Sequence, residues 1–221
     1  MSTDVITGTA SKKADHYAID VLGIPSLTLM ETASSKVASH IISNFPSSSV
    51  LVLSGTGNNG ADGICIARLL SDNSSFTGTV QAVVAGNLEH ASWEFLHQLA
   101  EYKKIGGTIS YYRNGDDLPV SDVLVDAVFG IGLLSQLRED KKEILSRADS
   151  MHYPHVVAVD IPSGINSDNG ELMGAGIHAN TTVTFGRCKT GLITGEGKAY
   201  AGDVIVEGIG IPDEAYEHVL S

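Results

Sequence analysis

The chain has 221 residues, of which 43% are hydrophobic and 18% are charged, and its formal net charge is -12. This composition is typical of a globular protein, so we expect a single domain over residues 1–221 with no membrane span, for which roughly 20 consecutive apolar residues would be needed. The negative charge disfavours nucleic acid as a partner, because such binding needs clustered Lys and Arg, but a helix N-terminus can still hold a small anion.

The first part of the chain predicts a location and two helices. Residues 1–15 lack the apolar middle and the small-residue cleavage site of a secretory signal, which favours the cytoplasm. Over residues 14–44, apolar residues recur at a spacing of three to four around the break Gly23-Ile24-Pro25. This pattern predicts two helices before any strand.

Short apolar runs follow and predict strands. They lie at residues 50–53, 80–85, 108–112, 123–125, 156–159, 181–185 and 204–207. Helical stretches at residues 62–70, 91–104 and 141–151 separate the earlier runs. This alternation predicts an α/β fold with a mainly parallel sheet, and the continuous apolar runs are typical of strands covered on both faces.

A glycine-rich motif comes directly after the first predicted strand, where residues 54–63 read SGTGNNGADG. The GxGxxG from Gly55 to Gly60 permits a tight turn and a close approach of the backbone to a phosphate. A turn whose glycines serve only the backbone is the alternative, because a lone GxGxxG is weak evidence of a site.

A dehydrogenase that binds intact NAD(P) is a second interpretation of this motif. Its fingerprint also needs an acid about 20 residues further on, to hold the ribose. The next strand ends in VAGN, residues 84–87, without an acid. The motif instead carries Asn58, Asn59 and Asp62, which can coordinate a ligand or a cation.

Two later strands end in a carboxylate followed by a glycine-containing turn. Residues 125–132 read VDAVFGIG and residues 159–164 read VDIPSG, which places Asp126 and Asp160 at strand ends. A single Asp at such a position commonly has only a turn or surface role. Because ligands of open parallel sheets bind outside the carboxyl ends of the strands, we expect these turns and the glycine motif to meet in one crevice.

The combined motifs resemble a known family. GTGNNGADG, VDAVFGIG and VDIPSGINSDNG, with LGIPSLTLMETA near the start and TTVTFGRCKTGL near the end, are similar to the NAD(P)H-hydrate epimerases, also called the YjeF N-terminal domain. The resemblance spans residues 15–212. It implies a three-layer αβα Rossmann-like sandwich and an isomerase that interconverts the R and S forms of hydrated NADH and NADPH for nicotinamide cofactor repair.

The resemblance also implies ligands and partners. Potassium would be bound by Asn59, Asp126 and Ser163, whose hard oxygen donors suit a hard cation. The residues that would contact the substrate are Asn58, Asn59, Gly60, Ala61, Asp62, Gly130, Ile131, Gly132, Leu133, Leu134, Ser135, Gln136 and Asp160. A homodimer is a further implication, as is a dehydratase domain in a longer chain, whereas the preference between the two hydrates stays open.

Asp160 is the candidate catalytic residue. In the hydrate, the hydroxyl is on a ring carbon bonded to the ring nitrogen, so a general acid that protonates the hydroxyl lets the nitrogen lone pair expel water. Water that adds to the other face of the resulting iminium gives the other epimer. The donor role requires a buried, protonated Asp160, and a fixed carboxylate that stabilises the cationic iminium is the alternative.

Three positions modify this interpretation. Ala61 and Thr32 depart from the family pattern, and we expect the Ala61 methyl to lie near the phosphate path and Thr32 to lack an amide contact. Lys189 is the candidate basic group near the ligand, with an ordinary solvated lysine as the alternative.

A non-catalytic interaction module of the same fold is a further alternative, but the joint presence of Asn59, Asp126, Asp160 and Ser163 disfavours it.

Overall fold

The computed structural model describes residues 5–220, which contain nine strands and eight helices. The strands are β1 (Val5–Ile6), β2 (Ser49–Ser54), β3 (Thr79–Val84), β4 (Thr108–Tyr111), β5 (Val123–Ala127), β6 (His155–Val159), β7 (Thr181–Phe185), β8 (Cys188–Lys189) and β9 (Asp203–Glu207). The helices are α1 (Gly8–Asp20), α2 (Ser26–Asn44), α3 (Asn58–Ser71), α4 (Trp93–Lys104), α5 (Glu139–Ser150), α6 (Thr190–Ile193), α7 (Gly197–Tyr200) and α8 (Asp213–Leu220). Within the described residues, no helix is both long enough and apolar enough to cross a bilayer.

Seven strands form one parallel sheet in the order β4-β3-β2-β5-β6-β7-β9. The chain runs outward from β2 to β4, returns to β5 on the other side of β2, and continues outward to β9. The direction of winding therefore reverses between β2 and β5. In open α/β sheets, the carboxyl ends of the two strands at such a reversal border the ligand crevice.

Helices cover both faces of this sheet. Val50 and Val52 of β2 belong to an apolar core shared with α2, α3 and α4. The alternating Leu51 and Leu53 belong to a second core shared with α5. The result is a three-layer αβα sandwich, which confirms the predicted α/β class and its parallel sheet.

The predicted elements match the structure in type and order, and they differ at their ends. β1 precedes the first helix, so the prediction of two helices before any strand is wrong, because a two-residue strand has no periodicity to reveal it. Helix α1 begins at Gly8 rather than near residue 14, because the Thr7 side chain caps it by accepting a hydrogen bond from Ala10 N at 3.1 Å. No prediction covered β8, α6, α7 or α8.

The short strand β1 attaches the N-terminal helix to the rest of the fold. It pairs with β8 in parallel, so that Ile6 lies beside Lys189. Thr9 donates from its backbone N to Asp168 Oδ1 at 2.8 Å and from Oγ1 to Oδ2 at 2.5 Å. Gly8 lies so close to Ser167 that a Cβ at position 8 would be 1.9 Å from Ser167 Oγ. These contacts fix the start of α1 against the segment that follows β6.

Candidate functional site

A cavity of about 1220 Å³ lies at the carboxyl ends of β2, β3, β5 and β6. The turns after these strands line it, together with side chains of α1 and α2. Its ionisable and amide side chains include Asp15, Asn58, Asn59, Asp62, Asp160 and Lys189. The cavity exceeds the roughly 300–1,000 Å³ of common small-molecule sites, so a dinucleotide-sized ligand has room in it.

The glycine motif forms the N-terminal end of α3 on this cavity. Gly57 is the N-cap residue, so Asn58 to Asp62 make the first turn of the helix. Ser54 Oγ lies 2.8 Å from the carbonyl oxygen of Gly55 and 2.9 Å from that of Gly60, which holds the turn together. A Cβ on Gly60 would lie 2.1 Å from the Gly55 carbonyl oxygen, so this position requires glycine. The free N–H groups and partial positive charge of a helix N-terminus are suited to a phosphate.

Asp126 of β5 and Ser163, in the turn after β6, form a buried hydrogen-bonded pair. Ser163 Oγ donates to Asp126 Oδ1 at 2.5 Å, and Ser163 N donates to Oδ2 at 2.7 Å. Phe129 N donates to Ser163 Oγ at 2.9 Å and so ties the two turns together. Burial raises the pKa of Asp126 to about 6, although the hydrogen bonds from Ser163 oppose this rise. No basic side chain of residues 5–220 forms an ion pair with Asp126.

Asn59 contacts the turn that follows β5, and Phe129 of this turn is hydrogen-bonded to Ser163. Asn59 lines the cavity, and Gly130 approaches it so closely that a Cβ on Gly130 would be 3.1 Å from Asn59 Cγ. The Nδ2 atom of Asn59 is buried and has no hydrogen-bond partner within residues 5–220. A buried polar atom without a partner is costly, so it marks a place where a ligand or an ion completes the site. Asp126 and Ser163 thus contact each other directly, and Asn59 contacts the neighbouring turn; of the three, only Asn59 lines the cavity.

Asp160 follows β6 and forms a buried ion pair with Lys189. Lys189 Nζ donates to Asp160 Oδ1 at 2.6 Å, and the same oxygen accepts from Thr184 Oγ1 at 2.9 Å and from Phe185 N at 3.2 Å. Lys189 Nζ also donates to the Phe185 carbonyl oxygen at 2.7 Å. The Oδ2 atom has no partner among the described residues, and Asp160 lines the cavity. One carboxylate oxygen is thus held by three donors while the other is free for a ligand.

The backbone of Asp160 adds a second unusual feature. Its φ is +67°, in the left-handed region that side chains other than Gly rarely adopt. Such a conformation costs of order 1–3 kcal/mol and persists only where the surroundings hold it, as they do at functional sites. Asp160 N donates to the Val183 carbonyl oxygen at 2.8 Å, which anchors this strained residue to β7.

Asp62 and Asp15 are two of the further acids that line the cavity. Asp62 of α3 is accompanied by Ser34, whose Oγ lies 3.3 Å from Asp62 Oδ1. Burial raises the pKa of Asp62 well above its usual value, and the nearby Asp160 charge adds to this rise. Asp15 of α1 is partly buried, and burial raises its pKa to about 6, with Lys189 opposing and Asp160 adding to the rise.

Sequence reasoning singled out Asp62 but missed Asp15. An acid on an amphipathic helix is typical of a solvated face, which is why nothing drew attention to it. The available signal was a stripe at a spacing of four, Ser11, Asp15 and Ile19, all of which line the cavity. Only the position of α1 over the sheet edge shows that this stripe faces the site.

Several predicted contacts lie elsewhere. Of the expected substrate-binding residues, Gly60, Ala61, Leu134, Ser135 and Gln136 do not line the cavity. Ala61 is fully buried in the core shared by α2, α3 and α4, so its methyl does not enter a phosphate path.

Thr32 and Lys189, which the sequence analysis also singled out, both make contacts within the protein. Thr32 Oγ1 donates to the Thr28 carbonyl oxygen at 2.8 Å, and Thr32 does not line the cavity. The alternative of a solvated Lys189 is wrong, because this side chain is only 1% exposed. Its partner is Asp160, so its charge is already committed within the protein.

Comparisons with known proteins place this arrangement in context. A family profile described as YjeF-related protein N-terminus matches residues 26–191. A protein of Limosilactobacillus fermentum named NAD(P)H-hydrate epimerase is 40% identical over 93% of this chain and 97% of its own length. A protein of Weissella koreensis with the same name is 38% identical over 98% of this chain and 96% of its own. The crystal structure of yeast ynu0 superposes with a TM-score of 0.78 at 22% identity, covering 97% of this chain and 93% of that one, and so shares the fold.

Proposed function

The chain belongs to the family of YjeF-related protein N-termini, and on that premise we propose that it is an isomerase that interconverts the R and S forms of hydrated NADH and NADPH. The observation that carries the proposal is the Asp160 carboxylate, which lines the cavity and is held through Oδ1 by three donors, while Oδ2 has no hydrogen-bond partner among residues 5–220. Such a group can exchange a proton with a substrate hydroxyl or stabilise a cation beside it. This is the chemistry that epimerisation of the hydrate needs.

The fixed position of Asp160 suits a cationic intermediate. When the hydroxyl leaves as water, the ring becomes a flat iminium with a positive charge. A carboxylate that is already anchored needs no rearrangement to stabilise this charge, and its effect is strong in a site shielded from water. The pairing with Lys189 and Thr184 thus suits a fixed carboxylate, which can stabilise the iminium and also exchange a proton with the substrate.

The first turn of α3 is the proposed site for the substrate's pyrophosphate. It lies at the reversal point of the sheet, and Asn58, Asn59 and Asp62 line the cavity there. Gly130, Ile131, Gly132 and Leu133 line it from the turn after β5. Arg138 and Lys141 also line the cavity, and they supply the positive charge that a nucleotide needs in an otherwise acidic protein.

We include potassium in the proposal, with Asn59, Asp126 and Ser163 as its ligands. Asp126 is a fully buried carboxylate without an ion pair in residues 5–220, and the nearby amide of Asn59 has an unpaired end. Because an amide flip exchanges its nitrogen and oxygen, that end can present an oxygen donor. These hard oxygen donors fit a hard cation, which would neutralise the buried charge and hold the turns after β5 and β6.

Potassium is expected to stabilise the folded chain through Asp126. A ligand that binds only the native state at 100 times its dissociation constant adds about 2.7 kcal/mol, and each kcal/mol raises Tm by about 2–4 °C in a chain of this size. Thermal melts in potassium chloride and in tetramethylammonium chloride at equal ionic strength measure this effect. Asp126→Asn should abolish the difference between the two salts. Asp122→Asn, at the amino end of the same strand, should keep it, and equal differences in both variants would contradict the assignment.

A direct assay tests the activity itself. Purified protein is mixed with one resolved epimer of hydrated NADH in potassium buffer, and the other epimer is followed by chromatography. We expect interconversion far above the uncatalysed rate. A rate equal to that of buffer alone would favour the non-catalytic module, and hydride transfer from intact NADH would favour a dehydrogenase.

The proposal also covers location and partners. We expect the protein to act in the cytoplasm on a small-molecule substrate, as a homodimer, beside a dehydratase that consumes one epimer. Sedimentation equilibrium of the purified chain checks the dimer.

A further inference from the structure

Inversion through a flat cation needs proton transfer on both faces of the ring. This inference rests on the proposed function. The hydroxyl leaves from one face and takes a proton as its C–O bond breaks, whereas the water that adds to the other face must lose a proton as its own C–O bond forms. By microscopic reversibility, the group that accepts this proton is the acid of the reverse reaction. One carboxylate held on one side, as Asp160 is, serves only one of these faces.

Asp15 is placed to serve the second face. It is in the cavity-lining stripe of α1, whereas Asp160 comes from the sheet edge after β6, so the two carboxyl groups reach the same cavity from separate elements. The position of α1 is set beside the site, because β1 pairs with β8 and Ile6 lies next to Lys189. No hydrogen bond or ion pair within residues 5–220 engages the Asp15 carboxyl group, which leaves it free to bind a ligand.

The charges that face Asp15 come from every neighbouring element. Lys189 of β8 and Asp160 after β6 act on it most strongly, His16 is its neighbour on α1, and Asp62 of α3 and Tyr216 of α8 also interact with it. Burial is the largest influence and raises the pKa of Asp15 to about 6, so a fraction of the molecules carries a proton there near neutral pH.

The environments of the two acids differ in a way that suits complementary roles. Asp160 Oδ1 accepts three hydrogen bonds, one of them from an ammonium group, and such donors stabilise a negative charge. Asp15 has no comparable donors. One carboxyl group is thus fixed by donors, whereas the other is free to turn toward a ligand.

We propose that Asp15 is the second acid–base residue of the epimerase site and works on the ring face away from Asp160. Protonated Asp15 gives its proton to the leaving hydroxyl, the C–O bond breaks, and the ring-nitrogen lone pair forms the iminium double bond. Water then adds to the opposite face, its oxygen forms the new C–O bond, and its proton passes to the Asp160 carboxylate. The reverse reaction uses the same two groups in exchanged roles, so no other reactant is needed.

Exchange of the substrate hydroxyl with ¹⁸O-labelled water tests this division. Each resolved epimer of hydrated NADH is incubated with wild type, Asp15→Asn and Asp160→Asn, and both inversion and label uptake are measured by mass spectrometry after chromatography. Wild type should invert and label both epimers. Asp15→Asn should lower inversion at least about 100-fold. Asp15→Asn should still exchange the hydroxyl oxygen of one epimer with labelled water, without inverting that epimer. Asp160→Asn should do the same with the other epimer only.

Stability provides a readout that does not depend on activity. The pKa of Asp15 is raised from its usual 3.8 to about 6, so ionising this carboxyl group in the folded protein has a cost in stability that grows as the pH rises from 3.8 through about 6. Asp15→Asn removes that cost and should melt at the same or a higher temperature than wild type at pH 8. Asp203→Asn makes the same change at an exposed position outside the cavity and should leave both melting and inversion unchanged.

The outcomes separate the failure of this inference from the failure of the proposed function. Wild type that neither inverts nor labels the hydrates overturns both. Active wild type with an Asp15→Asn variant that inverts within a few-fold of it overturns the inference alone. The inference alone is also overturned if a folded Asp15→Asn variant takes up label equally in both epimers. It is likewise overturned if Asp62→Asn, and not Asp15→Asn, takes up label in one epimer only.

Discussion

Replacing Asp160 by Asn is expected to lower the rate of epimer interconversion by about 10²–10⁴-fold, the range that a positioned acid–base group contributes. The substitution removes the negative charge that stabilises the iminium and leaves the Lys189 ammonium group facing a neutral amide. Substrate binding should change much less, because the proposed nucleotide contacts lie at α3 and the turn after β5. Trp93 is the only tryptophan of the chain and lines the cavity, so quenching of its fluorescence by the substrate measures binding separately.

The matched control for this variant is Asp203→Asn, which has the same chemistry at an exposed position. It should retain wild-type rates. Equal rates for wild type and Asp160→Asn would remove Asp160 from the mechanism. A parallel loss of fluorescence quenching and rate would instead make it a binding residue.

Replacing Lys189 by Met is expected to lower the free energy of unfolding by about 3–5 kcal/mol, the usual cost of leaving one partner of a buried ion pair alone. The Lys189 side chain is 1% exposed and that of Asp160 is 11% exposed, so the Asp160 charge that remains is largely shielded from bulk water. Denaturant unfolding followed by circular dichroism measures the change. The epimerase rate should fall as well, because Lys189 holds Asp160 Oδ1 in place.

Two further variants check the origin of this loss. Lys189→Met combined with Asp160→Asn should recover part of the stability, since the uncompensated charge is gone. Lys104→Met removes the lysine of an exposed pair with Glu101 and should cost less than about 1 kcal/mol. A loss at Lys189 no larger than that at Lys104 would show that the buried pair contributes little.

The sequence predicted the sheet well because each of its strands is an apolar run with its own turn signal. The runs at residues 50–53 and 156–159 became β2 and β6 with small extensions at their ends. The elements that escaped prediction are short: β1 and β8 have two residues each, and α6 and α7 have four each. Such elements form because tertiary contacts stabilise them, and they are too short for a periodic sequence pattern to predict them.

The candidate site was predictable where residues sit at strand ends, and less so elsewhere. Parallel topology alone brings the glycine motif, Asp126 and Asp160 to one edge. The pairing of Lys189 with Asp160 depends on where β8 packs, which the sequence does not reveal. Asp15 depends on how α1 is docked, and Ala61 turned toward the core because the first turn of α3, not an open loop, contains it.

The pairing of β1 with β8 has a consequence for the order in which the protein matures. It joins the start of the described chain to a segment near its end, and contacts of such long sequence separation form late because loop closure is costly. During synthesis on the ribosome, Ile6 must wait for Lys189 to emerge before the two can meet. A nascent chain in which residue 189 has not yet emerged therefore lacks both the β1–β8 pairing and the Lys189–Asp160 ion pair, so the cavity can be completed only after β8 has been made.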